Sequence, residues 1–207
     1  MSYFDHPYLS NSDIKDFKKK IGLMPEDPEN LQEIFDLGTL IHAVIVEPHK
    51  ADIEHKDLDM AMTMRKSFYS DQFLRDFVAC KDFVGEKPFF TKEVRVGPFV
   101  VNLRCKMDGV RESIKAVLEL KGLKVSNFHD FRVALERYNY DQAIAHYMLT
   151  GGMERAIIVG LSKTKPDMRP MKWIVKKHDE FYAAGEQKLI DDLTLIETYS
   201  PDDVKRV

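Results

Sequence analysis

From Val101 to Lys121 the side chains change character almost residue by residue, and this alternation constrains the fold more than any other feature of the chain. Asn102, Arg104, Lys106 and Asp108 are polar, whereas Val101, Leu103, Cys105 and Met107 between them are apolar. After a short break Ala116, Leu118 and Leu120 are apolar, whereas Glu119 and Lys121 are charged. Successive side chains of a strand point to opposite faces, so a period of two predicts two half-buried strands. The four polar groups of the first strand then share a face, as do Glu119 and Lys121 of the second.

A hairpin centred between Ser113 and Ile114 sets Asp108 directly opposite Glu119. Like charges about 5 Å apart at Cβ are destabilising unless something neutralises them. A divalent cation does so naturally, because Mg²⁺ takes one or two carboxylates and leaves positions for water and phosphate oxygens. Lys121, on the same face, is placed to orient or deprotonate a water, or to stabilise charge developing on phosphate. Spacing alone also fits an ordinary exposed Glu119–Lys121 pair on an edge strand, with Asp108 a turn acid before Gly109.

The flanking segments read mostly as helices. Asn11 and Ser12 can cap a short helix through Ile14 and Phe17, and the turn-rich stretch that follows makes residues 1–28 a small appendage. Helical spacing of Leu31, Ile34, Phe35, Leu37, Ile41, Val44 and Ile45 predicts a core helix over 30–46, stopped by Glu47-Pro48. It carries His42 one turn after Gly38, a glycine whose cost in a helix suggests close packing. A further helix is expected over 58–78, which makes 29–80 a helical region. Strands are expected over 89–96, 98–111 and 114–120, a long helix over 126–149, strands over 156–161 and 171–175, and a final helix over 179–198. In the long helix Gln142 falls on the apolar stripe of Phe128, Phe131, Leu135, Tyr138, Ala145 and Leu149. Its amide must find partners, either the strand bearing Glu119 and Lys121 or the backbone. The order predicts an α/β (α+β) fold: one domain over 1–207, with N-terminal helices and a central mixed sheet flanked by helices over 88–198.

Composition sets outer limits. At 207 residues and 44% hydrophobic content the chain can bury a core. A net charge of −3 does not by itself mark a nucleic-acid binder, although Lys18 to Lys20, the Arg104/Lys106/Arg111 set and 163–177 are locally basic. Cys80 and Cys105 support neither a disulfide framework nor a zinc or iron–sulfur site. No apolar run of about 20 residues and no signal-peptide pattern is present, so a soluble cytoplasmic protein is expected.

Asp108 followed by Glu119-Leu120-Lys121 resembles the D…(D/E)xK signature of the PD-(D/E)XK nucleases. Leu37-Gly38-Thr39-Leu40-Ile41-His42 with Glu47-Pro48 resembles the G-x-x-x-H helix and downstream proline of RecB-like and RecE-like exonucleases. Tyr8-Leu9-Ser10-Asn11-Ser12, Glu93 in the strand before the motif, and Tyr140-Asp141-Gln142-Ala143 to Tyr147 resemble the exonuclease VIII (RecE) group. By this resemblance the fold has a restriction-endonuclease-like core. His42, Asp108, Glu119 and the Leu120 carbonyl would bind Mg²⁺ or Mn²⁺, Lys121 would serve the attacking water, and Gln142 would support the site. Glu93 and Tyr147 would contact substrate, and Arg104 and Lys106 are among the basic candidates for holding a terminal phosphate. Two departures stand out: Gly122 replaces a frequent Thr, and Gln142 precedes Tyr147 by five residues instead of four.

The resemblance implies a DNA exonuclease working at duplex ends, 5′→3′, in phage-derived recombination beside a single-strand annealing protein. A homo-oligomer is compatible with it. An endonuclease or single-strand nuclease of the same fold, and a non-catalytic DNA-binding protein, are the alternatives. Opposed acids repel DNA unless a cation intervenes, which argues against the last.

Overall fold

The computed structural model describes residues 8–85 and 90–199, together with the backbone of Lys205 and Arg206. Helix α1 (Asn11–Lys20) starts one residue before the expected caps. The Ser10 hydroxyl accepts from the Asp13 N–H, and the Asp13 carboxylate accepts from the Ser10 N–H, so each end of this capping box satisfies an orphan donor. Ile14 is fully buried against Phe99, Leu103, Leu189 and Leu193, and Asp13 pairs with Arg104 at 2.9 Å. The segment read as an appendage is therefore part of the core.

Helix α2 (Leu31–Val46) buries Leu40, Ile41, Val44 and Ile45 against helices α3 (Leu58–Ser70) and α4 (Gln72–Val78). Only its second half is core, since Ile34 and Phe35 are exposed. The single helix expected over 58–78 breaks at Asp71, whose carboxylate caps the Leu74 N–H and holds Lys172 at 2.5 Å. A buried acid with two partners makes the break more favourable than a continuous helix.

Strands β1 (Phe83–Gly85), β2 (Phe90–Val96), β3 (Phe99–Cys105), β4 (Gly109–Arg111) and β5 (Ala116–Leu123) follow. The strand expected over 98–111 is broken at 106–108, where the chain leaves one sheet for another. Helices α5 (Phe128–Arg137) and α6 (Tyr140–Gly151) replace the single long helix, because Asn139 is left-handed at φ 54° and turns the chain. Strands β6 (Arg155–Ser162) and β7 (Met171–Lys176), helix α7 (Glu180–Tyr199) and the short strand β8 (Lys205–Arg206) complete the order.

Two sheets result. Five strands run β1-β4-β5-β6-β7, with β5 and β6 parallel and the other pairs antiparallel, while β2, β3 and β8 form a second, antiparallel sheet. Gly109 faces Leu118 and Val110 faces Val117, the register predicted for the hairpin. Helices cover both faces of the mixed sheet: Leu118 and Val159 pack toward α2–α4, Val117 and Ile158 toward α5–α7. Among the described residues no helix is long and apolar enough to cross a membrane.

Helices α6 and α7 touch backbone to backbone. A Cβ on Gly185 would run into the Asp141 carbonyl oxygen, which cannot move without displacing α6. Gly185→Ala should therefore cost about 3 kcal/mol or more, at the upper end of core overpacking. Urea denaturation checks this; a loss under about 1 kcal/mol would show that the helices do not meet so closely.

Candidate active site

The C-terminal half of β5 presents Glu119 and Lys121 on one face while Leu118 and Leu120 pack under α2. Glu119 is 3% exposed. Asp108 stands just before β4, and its Oδ2 accepts the Leu120 N–H at 2.7 Å. One acid thus fixes the strand that carries the other. His42, from the last turns of α2, donates from Nε2 to the Asp108 carbonyl oxygen at 3.1 Å, since a carbonyl can only accept. The same nitrogen is 3.6 Å from Asp108 Oδ1, and Nδ1 is 3.9 Å from Glu47, itself paired with Lys50 at 2.5 Å. Lys121 Nζ sits 2.5 Å from Glu119 Oε1 and 5.0 Å from the centre of the Tyr140 ring.

Burial and then the Asp108 charge push the Glu119 carboxyl up to about 7, against the opposing pull of Lys121. For Lys121 burial disfavours the ammonium, but the Glu119 and Asp108 charges together outweigh it and hold the pKa well above its usual value. In this geometry Lys121 is a cation that can donate to a water or a phosphate oxygen, not a base. The Glu119 charge, then burial, raises the Tyr147 phenol; burial raises the Tyr140 phenol and pushes the Cys105 thiol up to about 12.

His42, Asp108, Leu120, Lys121 and Tyr140 line a cavity of about 480 Å³, with Glu119 held to Lys121. Ile34, Phe35, Gly38, Ile41, Lys106 and Lys163 also line it. Gly38 does not mark close packing: a Cβ there meets nothing within 4 Å, and its absence leaves the wall open.

His42, Asp108, Glu119, Leu120, Lys121 and Lys106 thus come together, with Tyr147 close enough to feel Glu119. Three other candidates are placed elsewhere. The Gln142 amide donates to Asp192 at 2.7 Å, and Asp192 also takes Lys18 at 2.7 Å, so Gln142 ties α6 to α7 and α1. The break at Asn139 shifts the helical phase on which its inward aim depended. Arg104 is buried against Asp13, and Glu93 is exposed on β2 opposite Asn102; neither lines the cavity. Sequence reading missed Lys15, whose pKa is lowered by burial and then by Lys121, which puts α1 beside the site. No local signal marks that contact. Tyr140 lay within a quoted motif without a role, and Lys163 at the start of a basic stretch.

No family model and no curated protein matches the chain in sequence. Among solved structures, a Eubacterium rectale protein named for an inferred exonuclease activity aligns with 97% of this chain and 84% of its own, at TM-score 0.59 and 16% identity. The chain shares the fold of that protein, a mixed sheet flanked by helices. An alkaline exonuclease of Laribacter hongkongensis covers 93% of this chain and 89% of its own, at TM-score 0.43 and 12% identity. A phage-related exonuclease of Haemophilus somnus covers 88% and 94%, at TM-score 0.42 and 12% identity. The fold assignment rests on the first of these. At such identity a likeness shows the fold and leaves the reaction to the site.

The site carries a pH signature. The folded Glu119 pKa, about 7, lies above the ordinary 4.5, so the buried carboxyl is harmless when protonated and destabilises the fold as it ionises. With chelator present, stability should fall by about 3 kcal/mol between pH 5 and pH 8, since each pH unit between the unfolded and folded pKa removes about 1.4 kcal/mol. Glu119→Gln should flatten the profile, and an equally steep profile in that variant would assign the effect elsewhere.

Proposed function

We propose that this chain is a divalent-metal-dependent deoxyribonuclease that hydrolyses phosphodiester bonds at duplex ends. The observation that carries this reading is the buried Glu119 carboxyl, pushed up by burial and the Asp108 charge and held 2.5 Å from the Lys121 ammonium, with Asp108 and Lys121 lining the cavity. Like charges held in a desolvated site call for a cation, and a polyanion could not approach them without one.

Among the described residues no three His, Cys, Asp or Glu side chains converge as a ready-made metal cluster. The donor set nevertheless fits a hard divalent ion. Asp108 and Glu119 supply two carboxylates, which is the number Mg²⁺ commonly takes while keeping waters and substrate oxygens. The Leu120 carbonyl and His42 are the further candidates, and His42 would have to release the Asp108 carbonyl to ligate. When bound, Mg²⁺ or Mn²⁺ would polarise the scissile phosphate and acidify a water. Release of Glu119 to a cation leaves the Lys121 ammonium free to hold that water or a phosphate oxygen. The Tyr140 ring lies beside Lys121, and the raised Tyr140 and Tyr147 phenols remain protonated donors.

Attack at ends, 5′→3′ direction, service to recombination with a single-strand annealing partner, and a homo-oligomeric assembly are carried by the sequence resemblance. Linear duplex labelled at either end, incubated with Mg²⁺ or with EDTA beside a closed circular control, tests the first two. Metal-dependent loss of linear but not circular DNA is expected, with the 5′ label released first. Asp108→Ala and Lys121→Ala should each lower the rate by about 1,000-fold or more without unfolding the protein, the scale of losing charge stabilisation in a transition state. Cleavage retained in both variants would remove these residues from the reaction, and nicking of circles would make the enzyme an endonuclease. His42→Ala should raise the Mg²⁺ concentration for half-maximal rate by about ten-fold or more; an unchanged titration would confine His42 to positioning Asp108.

A further inference from the structure

We propose that Lys163, at the C-terminal end of β6, is a substrate-positioning residue that holds a DNA backbone phosphate neighbouring the one being cut. It rests on the nuclease reading above and adds a contact which the sequence motifs do not contain.

The backbone of Lys163 is fixed by its N–H, which donates to the Leu123 carbonyl oxygen at 2.8 Å and extends the β5–β6 pairing by one step. From there the side chain runs across Gly122. A Cβ at Gly122 would lie 3.1 Å from Lys163 Cε and 2.6 Å from Ile41 Cδ1. The bare glycine beside Lys121 is thus what lets the lysine stem cross the strand and reach the cavity wall. Thr at this position would block that path.

Lys163 arrives from the face of the sheet that packs on α2, whereas Lys121 arrives from the opposite face beside Tyr140. The two ammonium groups flank the end of β5 from either side. A strand whose scissile phosphate lies at Lys121 and the two acids meets Lys163 at an adjacent phosphate. Among the described residues the Lys163 side chain has no hydrogen bond and no ion pair, although it is half-buried. Burial and then the neighbouring Lys124 lower its pKa against the opposing pull of Asp57, which makes no ion pair with it. The cavity is open to solvent along this wall, so the missing anion can be part of a chain. Phosphate answers that need, since lysine binds it as a point charge.

Steady-state cleavage of linear duplex with Mg²⁺, repeated from about 50 to about 200 mM KCl, tests this through counterion release. Lys163→Met should raise KM by about ten-fold with kcat within about two-fold, as expected for one lost charged contact that binds ground and transition states alike. The slope of log(kcat/KM) against log[salt] should become shallower by about 0.9, the value for one phosphate contact on duplex DNA. Lys163→Arg should restore both, and Gly122→Ala, which pushes the stem aside, should reproduce part of the loss. A merely structural lysine would lower the melting temperature without moving the salt slope. Wild-type KM and slope in Lys163→Met, with cleavage intact, would overturn the phosphate contact and leave the nuclease reading standing. Failure of the wild-type chain to cut DNA with any divalent metal would overturn both.

Discussion

The side chain of Asp108 continues a strand pairing that the backbone has abandoned. The β4–β5 ladder ends at Gly109 and Leu118, and one residue further the carboxylate accepts the Leu120 N–H. The chain before it is thereby free to leave the mixed sheet at 106–108 and build the second sheet with β2. His42 reaches the same turn through the Asp108 carbonyl, so α2, β4 and β5 are held at one point. Everything chemical in the molecule is arranged around that junction.

Keeping Glu119 there is expensive. The carboxyl is buried beside another acid, and one ammonium group on the same face is too little to bring its pKa to the ordinary range. The mutual effect on Lys121 is opposite in sign, because two acids surround one cation. Locally two acids share one ammonium group, whereas the cavity lining beyond them carries Lys106 and Lys163. Buried charge without full compensation is a common mark of sites whose task is to bind.

The second support is the junction of α1, α6 and α7. Asp192 accepts from Lys18 and from Gln142, and Asp141 next to Gln142 pairs with Lys188 at 2.7 Å. Gly185 lets the two long helices approach to backbone contact. This clamp holds α6, which carries Tyr140 beside Lys121. It also holds α1, whose Lys15 feels the Lys121 charge and whose Ile14 is part of the core. Gln142 acts here through position, without touching the cavity.

Local pattern was enough for much of this. The period of two from Val101 to Lys121, the hairpin centre at Ser113 and Ile114, and the helical spacing of α2 fixed the strand register and put Asp108 by Glu119, because side-chain direction is a backbone property. Short breaks at Asp71, at 106–108 and at Asn139 were illegible, since each depends on a partner or a backbone angle set elsewhere: Lys172 for Asp71, the Leu120 N–H for Asp108. The same holds for Arg104, which alternation aims at the site and Asp13 draws into the core. Sequence by itself determined which faces the acids and Lys121 occupy. Only the tertiary structure decided which distant groups meet them, because Lys15, His42, Tyr140 and Lys163 reach the site through helix packing and sheet crossover that no local spacing encodes.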